Sequence, residues 1–122
     1  MSAPSVLIVD DNREFREVLE LLLPRRFDVQ MRRSFPDAES ALKHLREQPV
    51  DVVLVDYKMP GMNGIDFIRE TRSLEPPPIV HLVSFHPAPE LAAAALEAGA
   101  TAVLNKTDIE RDLAPHLPAR PK

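Results

Sequence analysis

Short apolar runs alternate along this chain with segments whose apolar residues repeat every three or four positions. Runs rich in β-branched residues predict strands at 6–9, 51–55, 79–83 and 102–104, because such runs are typical of strands buried on both faces. A more polar run at 27–32, in which Val29 and Met31 alternate with charged or polar residues, predicts an edge strand.

The segments after the first two strands have the apolar spacing of amphipathic helices. The first covers 13–23 and places four apolar residues on one face, namely Phe15, Val18, Leu19 and Leu22. Pro24 is predicted to end this helix, because proline has no amide hydrogen and clashes with the preceding turn. Ser34 is predicted to cap the second helix, in which the repeating residues are Ala38, Ala41, Leu42 and Leu45.

Turn signals precede or follow the remaining helices. The Pro- and Gly-rich segment 60–64 leads into a helix with an apolar face made of Phe67, Ile68, Thr71 and Leu74. The alanine-rich stretch 87–98 predicts a helix closed by Gly99. A capping box at 107–110 predicts a final helix that Pro118 stops. Five strand–helix units in this order predict an α/β fold, a doubly wound parallel sheet in (βα)5 order with three layers.

Length and composition narrow the classes of protein. The 122 residues suit one domain, predicted at 1–117, with 118–122 as a tail or the start of a linker. The absence of cysteine excludes disulfides and thiolate metal sites. No run approaches the ~18 apolar residues that cross a bilayer, and we expect a cytoplasmic protein without a secretion signal in residues 1–4. The net charge of −4 argues against direct binding of nucleic acid by this domain.

Acidic residues stand where two of the predicted strands end. Asp10 and Asp11 follow the first strand, Asp56 follows the third, and Lys106 comes shortly after the last. Ligands of parallel α/β sheets bind at the carboxyl ends of the strands, so these four side chains should meet there. Turn preference explains one such aspartate well but all four positions poorly. The set predicts a site that binds a divalent metal and handles phosphate.

Four segments, in order, resemble the receiver (CheY-like) domain of two-component response regulators over nearly the whole chain. They are 9–12, 55–64, 83–84, and 98–100 followed by Lys106. The second segment, with its D-x-x-M-P-x-M-[DN]-G pattern, is specific, and the others are weak alone. The resemblance implies a flavodoxin-like fold and a phosphoprotein of signal transduction.

The resemblance also implies a role for each site residue. Asp56 would accept a phosphoryl group from a sensor histidine kinase. The ligands of Mg²⁺ would be Asp10, Asp11, Asp56 and the backbone carbonyl of Lys58, which are the hard oxygen donors that this ion prefers. Lys106 and Ser84 would act as catalytic residues that contact phosphoryl oxygens. The domain would catalyse only its own phosphorylation and dephosphorylation, so we do not expect an enzyme with an external substrate.

Three positions depart from the family pattern. The aromatic residue three places before the lysine is replaced by Val103, so switching through an aromatic ring is not expected. Phe85 replaces a small residue after Ser84 and is predicted to shield the acyl phosphate from water. Thr107 replaces the proline after the lysine, so a cis peptide there would cost about 3 kcal/mol and is not expected. Receivers of the NarL-like group often lack that proline, which suggests membership of this group.

Partners and alternatives remain open. The usual partner surface of receivers is formed by the fourth helix, fifth strand and fifth helix, and here it includes the small residues 91–96. An attached output domain or a separate protein could bind there. One alternative is a docking module that works without phosphorylation. Another is a Mg²⁺-dependent phosphohydrolase with an aspartyl-phosphate intermediate, which the absence of an acid two places after Asp56 disfavours. A Rossmann domain lacks support, since no glycine-rich loop follows the first strand.

The histidines are interpreted as structural. His81 is predicted to be a core or edge side chain with a satisfied ring, and His44 and His116 to be solvated helix positions. No pair has the spacing of metal ligands on one helix face.

Overall fold

Five strands lie within residues 3–121, and a helix follows each of them. The computed structural model describes residues 3–121, so residues 1, 2 and 122 of the predicted domain and tail lie outside it. The strands are β1 (Ser5–Val9), β2 (Gln30–Phe35), β3 (Val52–Asp56), β4 (Ile79–Ser84) and β5 (Ala102–Asn105). The helices are α1 (Arg13–Arg26), α2 (Ala38–Glu47), α3 (Gly64–Thr71), α4 (Pro89–Ala98) and α5 (Ile109–Leu113), and a 3₁₀ turn at Lys106–Asp108 precedes α5.

The strands form one parallel sheet in the order β2-β1-β3-β4-β5, and β2 lies at an edge as predicted. The register aligns the carboxyl ends of the strands, because Val9 lies opposite Val55 and Ser84 opposite Asn105. The chain order reverses between β1 and β3, which is where ligands bind in sheets of this kind. The predicted (βα)5 doubly wound fold is confirmed.

Apolar residues fill one layer on each face of the sheet. Leu7 and Val53 face the layer under α2, α3 and α4, whereas their neighbours Ile8 and Leu54 face the layer under α1 and α5. This alternation explains why the strands are apolar throughout, since both faces are buried. No helix within residues 3–121 is long and apolar enough to cross a membrane.

The predicted end of α1 is wrong. The helix continues through Pro24 to Arg26, and the amide of Phe27 donates to the carbonyl of Leu23 at 2.8 Å. Proline removes only its own amide hydrogen bond, so the last turn still closes around it. The predicted apolar face also differs, because Val18 is 57% exposed while Leu19 and Leu23 are fully buried.

The predicted cap of the second helix is also wrong. Ser34 lies within β2, which starts later than expected and extends to Phe35. Asp37 caps α2 instead, and its carboxylate accepts a 2.7 Å hydrogen bond from the amide of Ser40. The hydroxyl of Ser34 contacts the carboxylate of Glu20 on α1. Aspartate suits a cap as well as serine does, and the cap lies three positions later than predicted.

The chain after β5 differs from the predicted capping box. Thr107 and Asp108 belong to the 3₁₀ turn, which Asn105 caps by accepting from the amide of Thr107 at 3.0 Å. α5 begins at Ile109 without a side-chain cap and ends at Leu113, five residues before Pro118.

The carbonyl of Pro118 accepts a hydrogen bond from the amide of Asp28 at 2.8 Å, and Ala119 forms an antiparallel bridge with Phe27. The described part of the predicted tail therefore contacts the body of the domain.

Candidate functional site

Three aspartates meet at the carboxyl end of the sheet. Asp10 and Asp11 follow β1, and Asp56 is the last residue of β3. One carboxylate oxygen from each of the three lies within 4.8 Å of the others. β1 pairs with β3 so that Val9 lies opposite Val55, and this register brings together the aspartates that follow these two residues. The amide of Asp10 also donates to the carbonyl of Phe35 on β2, at 2.9 Å. The predicted acidic group is present and is the one such group within residues 3–121.

Asp10 is the buried member of this group, with 2% of its surface exposed. Its Oδ1 accepts a 2.8 Å hydrogen bond from the amide of Asn12, and the Arg16 guanidinium donates to its backbone carbonyl at 2.7 Å. Its Oδ2 accepts no hydrogen bond of good geometry, although Lys106 Nζ lies only 2.6 Å away. At that distance the charges attract strongly in a buried setting whichever way the ammonium hydrogens point.

Lys106 is buried among charges and rings. Its side chain is 5% exposed, and Nζ lies 2.6 Å from Asp10 Oδ2 and 3.5 Å from Asp56 Oδ1. The same Nζ lies 4.5 Å from the centre of the Phe15 ring and 5.2 Å from that of Phe85. Aromatic faces attract cations, so both rings add to the attraction of the carboxylates. A buried lysine with these neighbours is not an ordinary surface lysine.

Asp56 has a perturbed carboxyl group. Burial raises its pKa to about 6, and the negative charge of Asp10 acts in the same direction. The Lys106 ammonium and the amide of Tyr57 oppose this rise because they favour the ionised form. The carboxylate is therefore mostly ionised at neutral pH, although its pKa lies well above the usual aspartate value.

An open cleft of about 610 Å³ exposes Asp56 to solvent. The residues that line it include Asp11, Asp56, Lys58, Ser84, Phe85 and Lys106. Ser84 is the half-buried last residue of β4, opposite Asn105 in the register. The structure thus places every predicted site residue except the buried Asp10 on the wall of one cleft, with Asp10 directly beneath.

The loop from β3 to α3 lies close to the backbone of Asp56. A Cβ atom on Gly64 would lie 2.3 Å from the carbonyl oxygen of Asp56, so no other residue fits there without movement. The amide of Gly64 donates to the carbonyl of Tyr57 at 2.8 Å, and Asn63 caps α3.

A second set of contacts was missed by sequence reasoning. The Asn105 side chain accepts hydrogen bonds from the amides of Thr107 and His86, at 3.0 and 3.3 Å. The carboxylate of Asp112 accepts a hydrogen bond from the backbone amide of Asn105 at 3.0 Å. His86 has a φ of 43°, an uncommon conformation for a residue other than glycine. These contacts join the loop after β4, the turn after β5 and helix α5, and the one between His86 and Asn105 spans 19 residues, so no local pattern predicts it.

The three departures from the family pattern have clear positions. Val103 is half-buried and packs against the layer under α3 and α4. Phe85 is 63% exposed at the edge of the cleft. The peptide bond between Lys106 and Thr107 is trans, as expected, and the one cis bond among residues 3–121 precedes Pro76.

The interpretation of the histidines needs correction. His81 is 1% exposed, but its Nδ1 has no hydrogen-bond partner, so the ring is not satisfied as predicted. Its ring centre lies 4.6 Å from that of His116, which is in a turn after α5 rather than in a helix. Burial, and secondly the charge of His116, lowers the pKa of His81 to about 4. His44 is half-buried against the Phe35 ring, 5.2 Å away, because α2 packs over the end of β2.

Comparison with known proteins gives a consistent family. A family model described as the response regulator receiver domain matches residues 6–117. A protein-glutamate methylesterase/protein-glutamine glutaminase from Cereibacter sphaeroides is 36% identical over 115 residues, which are 92% of this chain and 31% of that protein. A Chromobacterium violaceum relative of the same description is 34% identical over 84% of this chain and 29% of its own length. The chain thus spans about a third of the length of these relatives.

Solved structures show the same likeness. The signal receiver domain assigned to NarL from Mycobacterium tuberculosis is similar, with a TM-score of 0.85, 31% identity, and coverage of 94% of this chain and 93% of that one. The response regulator domain of Thermotoga maritima CheB has a TM-score of 0.79 and 28% identity, and the match covers 93% of this chain and 89% of that one.

Proposed function

Because this chain belongs to the response regulator receiver domain family of two-component signal transduction, we propose that Asp56 is its phosphoacceptor. The phosphodonor is the phosphohistidine of a sensor histidine kinase. The observation that carries this proposal is the cleft, in which Asp56 is open to solvent beside a buried ammonium and two further carboxylates. The ammonium group of Lys106 supplies positive charge beside the position that a phosphoryl group on Asp56 would occupy.

Phosphoryl transfer depends on alignment and on charge neutralisation. A carboxylate oxygen of Asp56 forms a bond to phosphorus while the bond from phosphorus to the donor nitrogen breaks, and the electron pair stays on that nitrogen. Lys106 Nζ, 3.5 Å from Asp56, pairs with a phosphoryl oxygen. The hydroxyl of Ser84, on the same cleft, donates to another phosphoryl oxygen.

The donor set fits Mg²⁺. Asp10, Asp11 and Asp56 offer hard oxygen atoms close together, and Asp10 Oδ2 lacks a hydrogen bond of good geometry. Asp10, Asp11, Asp56 and the backbone carbonyl of Lys58 would hold the ion. When bound, Mg²⁺ supplies the positive charge that allows an anionic carboxylate to approach an anionic phosphoryl group. Asp10 would then interact with both the metal and Lys106.

We assign the binding of an output domain or partner protein to the surface of α4, β5 and α5. The Phe85–His86 loop and the Lys106 loop both border the cleft and are joined by Asn105, which also contacts α5 through Asp112. These contacts link the phosphorylation site to the surface of α4, β5 and α5, although position 103 holds valine instead of an aromatic residue. The partner is an output domain or a separate protein. We also propose a cytoplasmic location, where histidine kinases meet their receivers, and a catalytic role limited to the domain's own phosphoryl group.

Intact mass spectrometry after incubation with acetyl phosphate tests the acceptor. We expect a gain of one phosphoryl group in the presence of Mg²⁺, and none with a chelator or in Asp56→Asn. Asp28→Asn is the matched control, since Asp28 is exposed and distant in sequence from the acidic group.

No gain in a folded protein would contradict the proposal and favour a docking module that works without phosphorylation. Continuous release of phosphate from a model phosphate ester would instead favour the phosphohydrolase.

A further inference from the structure

Phe85 is an exposed aromatic residue at the mouth of the cleft. Five large apolar side chains are exposed within residues 3–121, and Phe85, 63% exposed, is the one aromatic residue among them. It also lines the cleft that contains Asp56. Scattered exposed apolar residues are ordinary, so exposure alone carries no meaning. The position of this ring beside the reactive carboxylate of Asp56, however, indicates a role in the cleft.

The ring is held in place before any ligand arrives. Lys106 Nζ lies over it, 5.2 Å from the ring centre. The backbone on both sides is also restrained, because Ser84 lies in the sheet and the amide of His86 donates to Asn105 Oδ1 at 3.3 Å. His86 adopts its uncommon φ of 43° directly after Phe85. A side chain restrained in this way loses little freedom when it binds a partner.

We propose that Phe85 selects phosphodonors that carry the phosphoryl group on an aromatic nitrogen ring, by stacking against that ring. This inference rests on the proposed function, since it concerns the donor to Asp56. In an in-line transfer the attacking and leaving atoms lie on opposite sides of phosphorus. Asp56 and Lys106 hold the phosphoryl group inside the cleft, so the leaving group faces its mouth, where the Phe85 ring is exposed.

The chemical step stays balanced with the ring in place. An Asp56 oxygen bonds to phosphorus as the bond from phosphorus to the ring nitrogen breaks, and the electron pair remains on that nitrogen. If the ring carries a proton on its other nitrogen, it leaves as neutral imidazole. Stacking restrains the orientation of the ring during this step, and an aromatic pair of this kind accounts for about a 3- to 10-fold effect.

Three small phosphodonors test the proposal. N-phosphorylimidazole has an aromatic ring and a P–N bond, phosphoramidate has a P–N bond without a ring, and acetyl phosphate has neither. The rate constant for phosphorylation of the full chain is measured by intact mass for each donor with Mg²⁺. The informative quantity is the ratio of the N-phosphorylimidazole rate to the phosphoramidate rate, because general damage to the cleft affects both rates.

Four variants separate the effect of the aromatic ring on this ratio from the effect of apolar bulk. We expect Phe85→Leu and Phe85→Ala to lower the ratio about 3- to 10-fold, and Phe85→Trp to keep it. Leu96→Ala, at an exposed apolar position in α4 outside the cleft lining, should leave the ratio unchanged. An unchanged ratio in both ring-free variants would overturn the proposal, and so would a loss in Phe85→Trp equal to that in Phe85→Leu.

The two levels of failure are distinguishable. If none of the three donors phosphorylates the wild-type chain, the proposed function fails and this inference with it. If all three do so with a ratio that does not depend on Phe85, the phosphoacceptor stands and only the role of the ring is wrong.

Discussion

Two buried basic side chains, His81 within the sheet and Lys106 just after its last strand, have opposite surroundings. Lys106, 5% exposed at its side chain, sits at the strand ends with carboxylates at 2.6 and 3.5 Å. His81, 1% exposed, lies in the middle of β4, and its Nδ1 has no hydrogen-bond partner. A buried charge is tolerated where opposite charges compensate it, and otherwise the group becomes neutral. Of these two positions, the one in the cleft holds a charge and the one in the middle of β4 does not, and a phosphoryl site requires the former.

Removing Lys106 should break the charged side of this comparison. Lys106→Met leaves Asp10 buried without its cation, so we expect a loss of about 3–5 kcal/mol in the free energy of unfolding at neutral pH. Urea denaturation in a chelator measures it. Lys43→Met, at an exposed position on α2, is the control and should change stability little. Equal stability of the two variants would show that Asp10 does not depend on Lys106.

His81 should make the protein sensitive to acid. Its pKa is lowered to about 4 in the folded state from an ordinary value of 6.5, so the unfolded chain takes up the proton first as the pH falls. The contribution of neutral His81 to the free energy of unfolding is fully present above pH 6.5. It falls by about 3 kcal/mol in total as the pH falls towards 4.

His81→Leu is the variant that tests this, because leucine suits the apolar layer around position 81. The stability of wild type minus that of His81→Leu should fall over this pH range in urea titrations at several pH values. Because the difference cancels the titration of Asp56 and of other groups that do not contact position 81, a constant difference would contradict the prediction.

Asp56→Asn should stabilise the protein in the absence of Mg²⁺. The pKa of Asp56 is raised from 3.8 to about 6, so the ionised carboxylate lowers stability at neutral pH, and wild type should gain stability as the pH falls from 6 to 3.8. The neutral amide removes this cost, and we expect a gain of about 2 kcal/mol at pH 7, which thermal or urea unfolding detects. Asp28→Asn should show no such gain, and a destabilised Asp56→Asn would mean that the Lys106 attraction outweighs burial.

The smallest expected effect concerns loss of the phosphoryl group. If Phe85 also shields the acyl phosphate from water, Phe85→Ala should release phosphate roughly 2- to 5-fold faster than wild type, as followed by intact mass over time. Phe85→Leu should give an intermediate rate, since it retains bulk. Loss at the wild-type rate in Phe85→Ala would contradict shielding by this 63% exposed ring.

The architecture could be predicted because it depends on patterns that are local in sequence. Uniformly apolar strands and helices with periodic apolar residues suffice to predict a parallel (βα)5 sheet. The topology of that sheet alone then brings Asp10, Asp56 and Lys106 together. Element ends were less predictable, since Ser34 and Asp37 are both good caps and Pro24 is tolerated in a last turn. Those choices depend on packing with other elements.

The finer contacts of the cleft could not be predicted for the same reason. Phe15 looks like an ordinary apolar position of α1, yet its ring contacts Lys106 at 4.5 Å. Asn105 links loops separated by many residues, and the unsatisfied Nδ1 of His81 depends on which atoms surround it in three dimensions. A single sequence contains no periodic signal for such pairs.

The identity of the phosphoacceptor is tested most directly by reduction of the phosphorylated protein with borohydride, followed by peptide mass mapping. Borohydride converts an aspartyl phosphate into homoserine, which marks the residue that carried the phosphoryl group. We expect homoserine at position 56 alone, dependent on both Mg²⁺ and the phosphodonor. Conversion at Asp10 or Asp11, or a mass gain without conversion at Asp56, would contradict it.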